Sequence, residues 1–345
     1  LRKDTMALIT RENPYGIDPV RDLHHSPPRY DIPNWSENLL FSGTDTGTGM
    51  FFYHHLGLVA GAPDLWRGDF AVCLPDGRQY LSVTFGNAEA ANVISDGTLH
   101  MECLEPLKSW RIVFDGACFA TDAHTNRNNF LAVDQIPVKF RFDIRWEGCV
   151  PMHEAKNNGA LASGFDVRYE QAGRYWGWMQ IGEERIPLNG VGYRDHSVGP
   201  RDYSKFTGHV WHWGVFDSGN IFGCLAMDEG ARLKWAAPYV VIDGELVECE
   251  YVDGPYWGPG RDDFDDKTYD FVLRGADGKE HVISGENLGY GYYWTCMNPS
   301  QLNYGRAPHR MLDEQMWVCR EVVTKWTWNG EQSLGLVEIS RRLGL

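Results

Sequence analysis

Between Gly190 and Gly214 the chain sets two aspartates, three histidines, two arginines, two tyrosines and two tryptophans among glycines. The order is Gly190-Val-Gly-Tyr-Arg-Asp-His-Ser-Val-Gly-Pro-Arg-Asp-Tyr203, then His209-Val-Trp-His-Trp-Gly214. Packing asks for no such mixture, and Tyr193, Asp195 and His196 carry the chemistry of proton transfer. Gly192 and Gly199 on either side permit sharp turns, and the flanking sequence is apolar. A carboxylate in apolar, aromatic surroundings has its pKa raised unless a cation holds it charged; Arg194, Arg201 and His196 are the nearby candidates. A neutral Asp195 is suited to donate a proton, whereas a charged one is suited to orient His196 as a base. The competing expectation is an ion-pair network that pins two sheets together.

In the second half of the stretch, strand alternation puts His209, Trp211 and Trp213 on one face and Val210 and His212 on the other. The first three could wall a pocket, stabilising a carbocation by cation-π contact while His209 shuttles a proton, or they could be ordinary core. Tyr53-His54-His55 reads as a pocket residue beside a solvated or hydrogen-bonded neighbour. Substrate contacts are therefore expected from Arg194, Arg201, His209, Trp211, Trp213, Tyr53 and His54. No metal site is expected. Adjacent histidines in a strand diverge, as do His209 and His212, and no carboxylate or thiol completes a familiar ligand spacing. The acidic run Arg261-Asp-Asp-Phe-Asp-Asp-Lys267 reads as a solvated loop rather than a calcium site.

The elements that must hold these residues are strands. From Trp35 onward short alternating runs are cut by Asp76-Gly77, Asp96-Gly97, Asp115-Gly116, Asn189-Gly190, Asp243-Gly244, Asp253-Gly254, Asp277-Gly278 and Asn329-Gly330, pairs that favour tight hairpins. Period-two strands are expected over 79–85, 110–114, 138–146, 269–274 and 322–328. In the third, Val138, Phe140, Phe142, Ile144 and Trp146 share one face and Lys139, Arg141, Asp143 and Arg145 the other, as in a barrel wall with one wet side. Short helices are expected near Asn87–Ser95 and Ala307–Met316. Residues 1–34, rich in proline and charge, read as an arm packed on the body.

A net charge of -15 over 345 residues speaks against a nucleic-acid partner. The 14 tryptophans suit a cavity for a large apolar ligand, although core packing explains many of them. Eight scattered cysteines with no C-x-x-C pair read as reduced thiols, hence a cytoplasmic protein. No apolar run approaches the roughly 18 residues that span a bilayer, so no stable membrane insertion is expected. The sequence carries no G-x-G-x-x-G, P-loop or G-x-S-x-G motif, and no cofactor is expected. A homodimer is compatible with all of this.

Tyr193-Arg-Asp-His-Ser-Val-Gly-Pro-Arg-Asp202 resembles the central motif of bacterial proteins related to carotenoid 1,2-hydratase (hydroxyneurosporene synthase), a group of tandem lipocalin-like proteins that includes some pericyclases. Residues 105–116, 169–174 and 186–190 resemble it too, and the likeness spans about residues 35 to 345. It implies an all-β fold of two lipocalin-like antiparallel β-barrel or sandwich domains, 35–195 and 196–345, with a site at their junction. In the hydratases a Tyr-x-Asp-His element supplies an acid that protonates an alkene. By position that acid is Asp195, with Tyr193 and His196 beside it. This chain departs from the pattern with Arg194 where the hydratases tend to carry His, and Ser197-Val198 where they tend to carry Asn-Trp. The expected activity is a cofactor-free lyase, hydratase or isomerase acting by acid-base catalysis on a terpenoid, carotenoid or other large hydrophobic molecule. A hydrophobic-ligand carrier and a pericyclase without proton transfer are the alternatives.

Overall fold

The computed structural model describes residues 13–23, 29–32, 35–59, 62–128, 136–149, 151–155, 166–200, 207–229, 232–254, 268–297 and 316–342. The alternating runs become strands throughout. In the first half these are β1 (Trp35–Asp45), β2 (Phe51–Val59), β3 (Ala62–Cys73), β4 (Arg78–Gly86), β5 (Val93–Ser95), β6 (Leu99–Glu105), β7 (Ser109–Asp122), β8 (Ile136–Gly148), β9 (His153–Glu154), β10 (Val167–Ile181) and β11 (Glu184–Pro200). In the second half they are β12 (Gly208–Val215), β13 (Ile221–Glu229), β14 (Arg232–Ile242), β15 (Glu245–Asp253), β16 (Thr268–Gly275), β17 (Glu280–Met297), β18 (Met316–Trp328) and β19 (Glu331–Arg342). The helices are α1 (Val20–Leu23) and α2 (Ala123–Asn128), so among the described residues no helix is long and apolar enough to cross a membrane.

Each half closes on itself. In the first, β4-β3-β2-β1-β11-β10-β8-β7 run in order and β4 returns onto the far end of β7, making an eight-stranded antiparallel barrel with the β5–β6 hairpin appended to β7. The second is a simple meander, β12 through β19, closed by pairing of β12 with β19. Closure leaves no free edge and defines an inside and an outside by the parity of each strand. The compact units part between Arg201 and Asp202. The expected boundary between residues 195 and 196 falls inside β11, which is paired on both sides there and runs on to Pro200.

The inside of the first barrel is an aromatic core. Phe140, Phe142, Ile144 and Trp146 of β8 are fully buried in it, while Lys139 and Arg145 are exposed. The large rings fit because one row of the wall carries no side chains. Gly43, Gly192, Gly173 and Gly148 stand opposite one another on β1, β11, β10 and β8. A Cβ at Gly173 would lie 2.3 Å from the Trp146 ring, and one at Gly43 would lie 2.6 Å from Phe52 and 2.7 Å from Tyr175. The glycines are therefore the floor on which these rings lie.

Two features differ from expectation. Residues 87–92 form a turn-rich connection to β5 rather than a helix, with Asn92 at a positive φ of 61°; the helix expected near Ala307–Met316 and the acidic run 261–267 lie outside the described residues. Of the hairpin pairs, Asp243-Gly244 and Asn329-Gly330 turn with both residues at positive φ. Asp115-Gly116 and Asn189-Gly190 instead lie within β7 and β11. At Gly190 a Cβ would meet the Thr44 carbonyl oxygen at 2.1 Å, so this glycine serves close strand approach and not a turn.

Candidate active site

Strand β11 carries the motif extended, which sends neighbouring side chains to opposite faces. Arg194 and His196 point to the inside of the first barrel; Tyr193 and Asp195 point outward. Asp195 therefore does not orient His196, and each takes partners from other strands. All four are buried, at 0–5% exposure, although half of them lie on the outer wall of a barrel.

Inside, Arg194 makes a two-pronged ion pair with Asp22 of α1, Nη1 to Oδ1 at 3.1 Å and Nη2 to Oδ2 at 2.9 Å, and donates from Nε to Gln171 at 3.2 Å. Its guanidinium sits 5.3 Å from the Trp146 ring centroid and 5.5 Å from that of Trp110. Burial alone would raise the Asp22 carboxyl, but Arg194, His196 and Tyr169 together outweigh it and hold Asp22 below its ordinary value. Asp22 also accepts from Leu107 N at 2.6 Å and from the Tyr169 hydroxyl at 2.8 Å. Burial, with Asp22 adding to it, keeps the Tyr169 proton in place well above the ordinary phenol range.

Proton counting fixes the rest of this chain. Tyr169 spends its one proton on ionised Asp22, so in its 2.5 Å contact with His196 Nδ1 the imidazole is the donor. His196 Nε2 then faces Glu37 Oε1 at 2.6 Å. The result is a continuous buried line, Glu37, His196, Tyr169, Asp22, Arg194.

Outside, Arg168 of β10 bridges two carboxylates, donating from Nε to Glu170 at 2.8 Å and pairing through Nη2 with Asp195 at 2.6 Å. The Tyr193 hydroxyl donates to the other oxygen of Glu170 at 3.0 Å. Register extends this face across β1 to β2, where Tyr53 stands opposite Ser42 and Tyr193 beyond it, and His55 opposite Leu40 and Asp195 beyond it. His55 is held by Asn38 at 3.1 Å and Asp69 at 3.3 Å, and Tyr53 stacks on its ring. Arg67 and His55 together outweigh burial and hold Asp69 below the ordinary carboxylate range.

The structure thus gathers Tyr193, Asp195 and Tyr53 on one face and sends Arg194, His196 and His54 to the other. His54 lies between Phe70, 4.6 Å away and stacked, and Phe142, 4.4 Å away and edge-on; burial lowers it to about 3. It is His55 that shares the Asp195 face. Arg201 lies outside the described residues. His209, Trp211 and Trp213 belong to the second barrel, where Val210 and His212 are the inward pair; His212 packs against Phe271 and Trp326. Trp211 and Trp213 are buried on the opposite face, at 1% and 0% exposure. His209 hydrogen-bonds Glu338 of β19, close to Glu321 and Cys319 of β18, so the carboxylates and thiol that no local spacing supplies arrive from more than a hundred residues away.

Two closed eight-stranded antiparallel barrels in tandem place the molecule in the lipocalin-like class, with the fold implied by the resemblance to the carotenoid 1,2-hydratase group. Solved structures sharing this fold include a candidate AttH from Nitrosomonas europaea, 14% identical with a TM-score of 0.56 over 90% of this chain and 93% of that one. CghA is 13% identical, with a TM-score of 0.53 over 90% of this chain and 89% of that one. Kievitone hydratase from Nectria haematococca is 13% identical, with a TM-score of 0.51 over 91% of each chain. At such identities the likeness is one of fold. No curated protein matches the chain. The chain belongs to the family defined by a domain of unknown function, DUF7064, whose model matches residues 18–343.

Proposed function

We propose that the protein is an acid-base enzyme of the hydratase or cyclase kind acting on a large hydrophobic molecule, with Asp195 as the group that gives and recovers a proton. The observation that carries this reading is the outer-face constellation of buried Tyr193, Asp195 and Glu170 with half-buried Arg168. The Arg168 guanidinium 2.6 Å from Asp195 favours its charged form, so Asp195 enters the cycle as a carboxylate that takes up a proton and then returns it, with Arg168 stabilising the charge each time it reforms. Tyr193, anchored on Glu170, and Tyr53 put aromatic rings on the same wall as Asp195, where their π-systems favour a developing cation. The resemblance of the motif to the hydratases, and the hydratase among the proteins of like fold, support the same reaction class.

The test begins with native mass spectrometry of the purified chain and extraction of any retained small molecule, which then serves as the assay substrate; otherwise apolar alkenes and alcohols are screened for turnover. A positioned acid contributes about 10²- to 10⁴-fold. Asp195→Asn should lose turnover on that scale while still binding the ligand, and product made in deuterated water by the natural protein should carry one deuterium at carbon. Unchanged turnover in a folded Asp195→Asn protein sinks the proposal.

A further inference from the structure

On the second barrel β12 lies beside β19, and β19 beside β18. Register puts Trp211 opposite Glu338 and Glu338 opposite Glu321, while His209 and Cys319 both stand opposite Ser340. These side chains share the face away from Val210, Val322 and Val337, which fill the core. They are nonetheless buried: Cys319 and Glu321 are 0% exposed and Glu338 8%. One ligand atom from each of Cys319, Glu321 and Glu338 lies within 4.8 Å of the other two. The Cys319 sulfur is 3.6 Å from Glu321 Oε1, and His209 Nε2 bonds Glu338 Oε1.

Two carboxylates side by side and out of water repel each other and are costly to desolvate, so the arrangement calls for a cation or a shared proton. We propose that Cys319, Glu321 and Glu338 form a site for a divalent transition metal of the zinc kind, with His209 positioning Glu338. The donor types select the metal. A thiolate disfavours magnesium and calcium, two carboxylates disfavour copper(I), and zinc accepts sulfur and oxygen together. Glu321 and Glu338 sit on directly paired positions of adjacent strands and Cys319 lies two residues before Glu321 on the same face, a geometry the sheet fixes before any ion arrives. A histidine hydrogen-bonded to a ligating carboxylate is a common way to aim it. Binding releases the Cys319 proton to solvent, because the thiolate is the ligand. The site is built from strands of the second barrel, whereas the proton donor is assigned to the first.

Chelator-treated full-length protein is titrated with Zn²⁺ by calorimetry and, separately, with Co²⁺ by absorption spectroscopy. The expected results are one equivalent of Zn²⁺ and a sulfur-to-cobalt charge-transfer band in the near ultraviolet. X-ray absorption on the zinc-loaded protein should give one sulfur at about 2.3 Å with oxygens at about 2.0–2.2 Å. Cys319→Ser should abolish the sulfur shell and the cobalt band. His209→Gln should keep both while weakening zinc binding about 10- to 100-fold. Failure of the natural protein to bind one equivalent at micromolar Zn²⁺, a metal shell without sulfur, or a sulfur shell that survives Cys319→Ser each overturns the assignment. The first two measurements use the natural chain and decide the matter even where a variant fails to fold.

Discussion

His54 gives the first barrel a pH-dependence that can be calculated. Its ring is fully buried among Phe52, Phe70 and Phe142, and burial lowers it from 6.5 to about 3. The folded chain therefore holds His54 neutral over a range in which the unfolded chain protonates it. The stability it contributes is fully present above pH 6.5 and is lost as pH falls from there toward 3. Each unit of difference is worth about 1.4 kcal/mol, so between pH 7 and 4.5 the loss is about 2.5 kcal/mol. Urea unfolding followed by tryptophan fluorescence at pH 7, 5.5 and 4.5, on the natural protein and on His54→Phe, isolates the effect. The variant carries a fixed cost at all three values, since a larger ring enters a full core. Its stability should nonetheless decline with pH less steeply than the natural protein's, by about 2.5 kcal/mol over the range. Parallel decline of the two proteins would show that His54 is protonated in the fold, or reached by water, and the reasoning would fail.

Removal of Asp22 strands a fully buried guanidinium. Asp22→Ala should destabilise the first barrel by about 3–5 kcal/mol in urea unfolding, while Asp22→Leu combined with Arg194→Met should recover most of that loss. Gly173→Ala should cost at least about 1–3 kcal/mol, because the new methyl meets the Trp146 ring at 2.3 Å and the Glu147 carbonyl oxygen at 2.5 Å. Tyr193→Phe leaves a buried Glu170 oxygen without that donor, and should lower both stability, by about 1–3 kcal/mol, and turnover of whatever substrate Asp195 serves.

While β1, β2, β12 and β13 are buried on both faces, strands with one wet face were legible because alternation survives wherever one face is apolar and the other meets water. Residues 138–146 illustrate this, with Phe140 to Trp146 inside and Lys139 and Arg145 out. The same rule, applied to Tyr193-Arg-Asp-His, separates Asp195 from His196; reading the motif as a glycine-hinged turn hid that. Gly190 and Gly192 open space for Thr44, Ser42 and Trp146, and in a sequence such a glycine has the same letter as one that turns the chain. The partners were not legible at all. Glu37, Arg168 and Glu170 reach β11 through strand pairing, Asp22 reaches it from α1, and Glu338 reaches His209 across 129 residues. No local spacing encodes those meetings.

The pairing of β1 with β11 has a consequence in time. Trp35–Asp45 must wait for residues 190–200, roughly 150 positions later, before its second edge is filled. At about 5–20 residues per second a ribosome needs roughly ten to thirty seconds to make that length. Throughout that interval β1 has β2 for company on one side and an open row of backbone donors and acceptors on the other, a ready seat for any passing strand. A nascent chain of this family therefore exposes one sticky edge for a defined period. Slowing synthesis between Asp45 and Gly190 should raise aggregation of newly made chains, while the same delay after Pro200 should not.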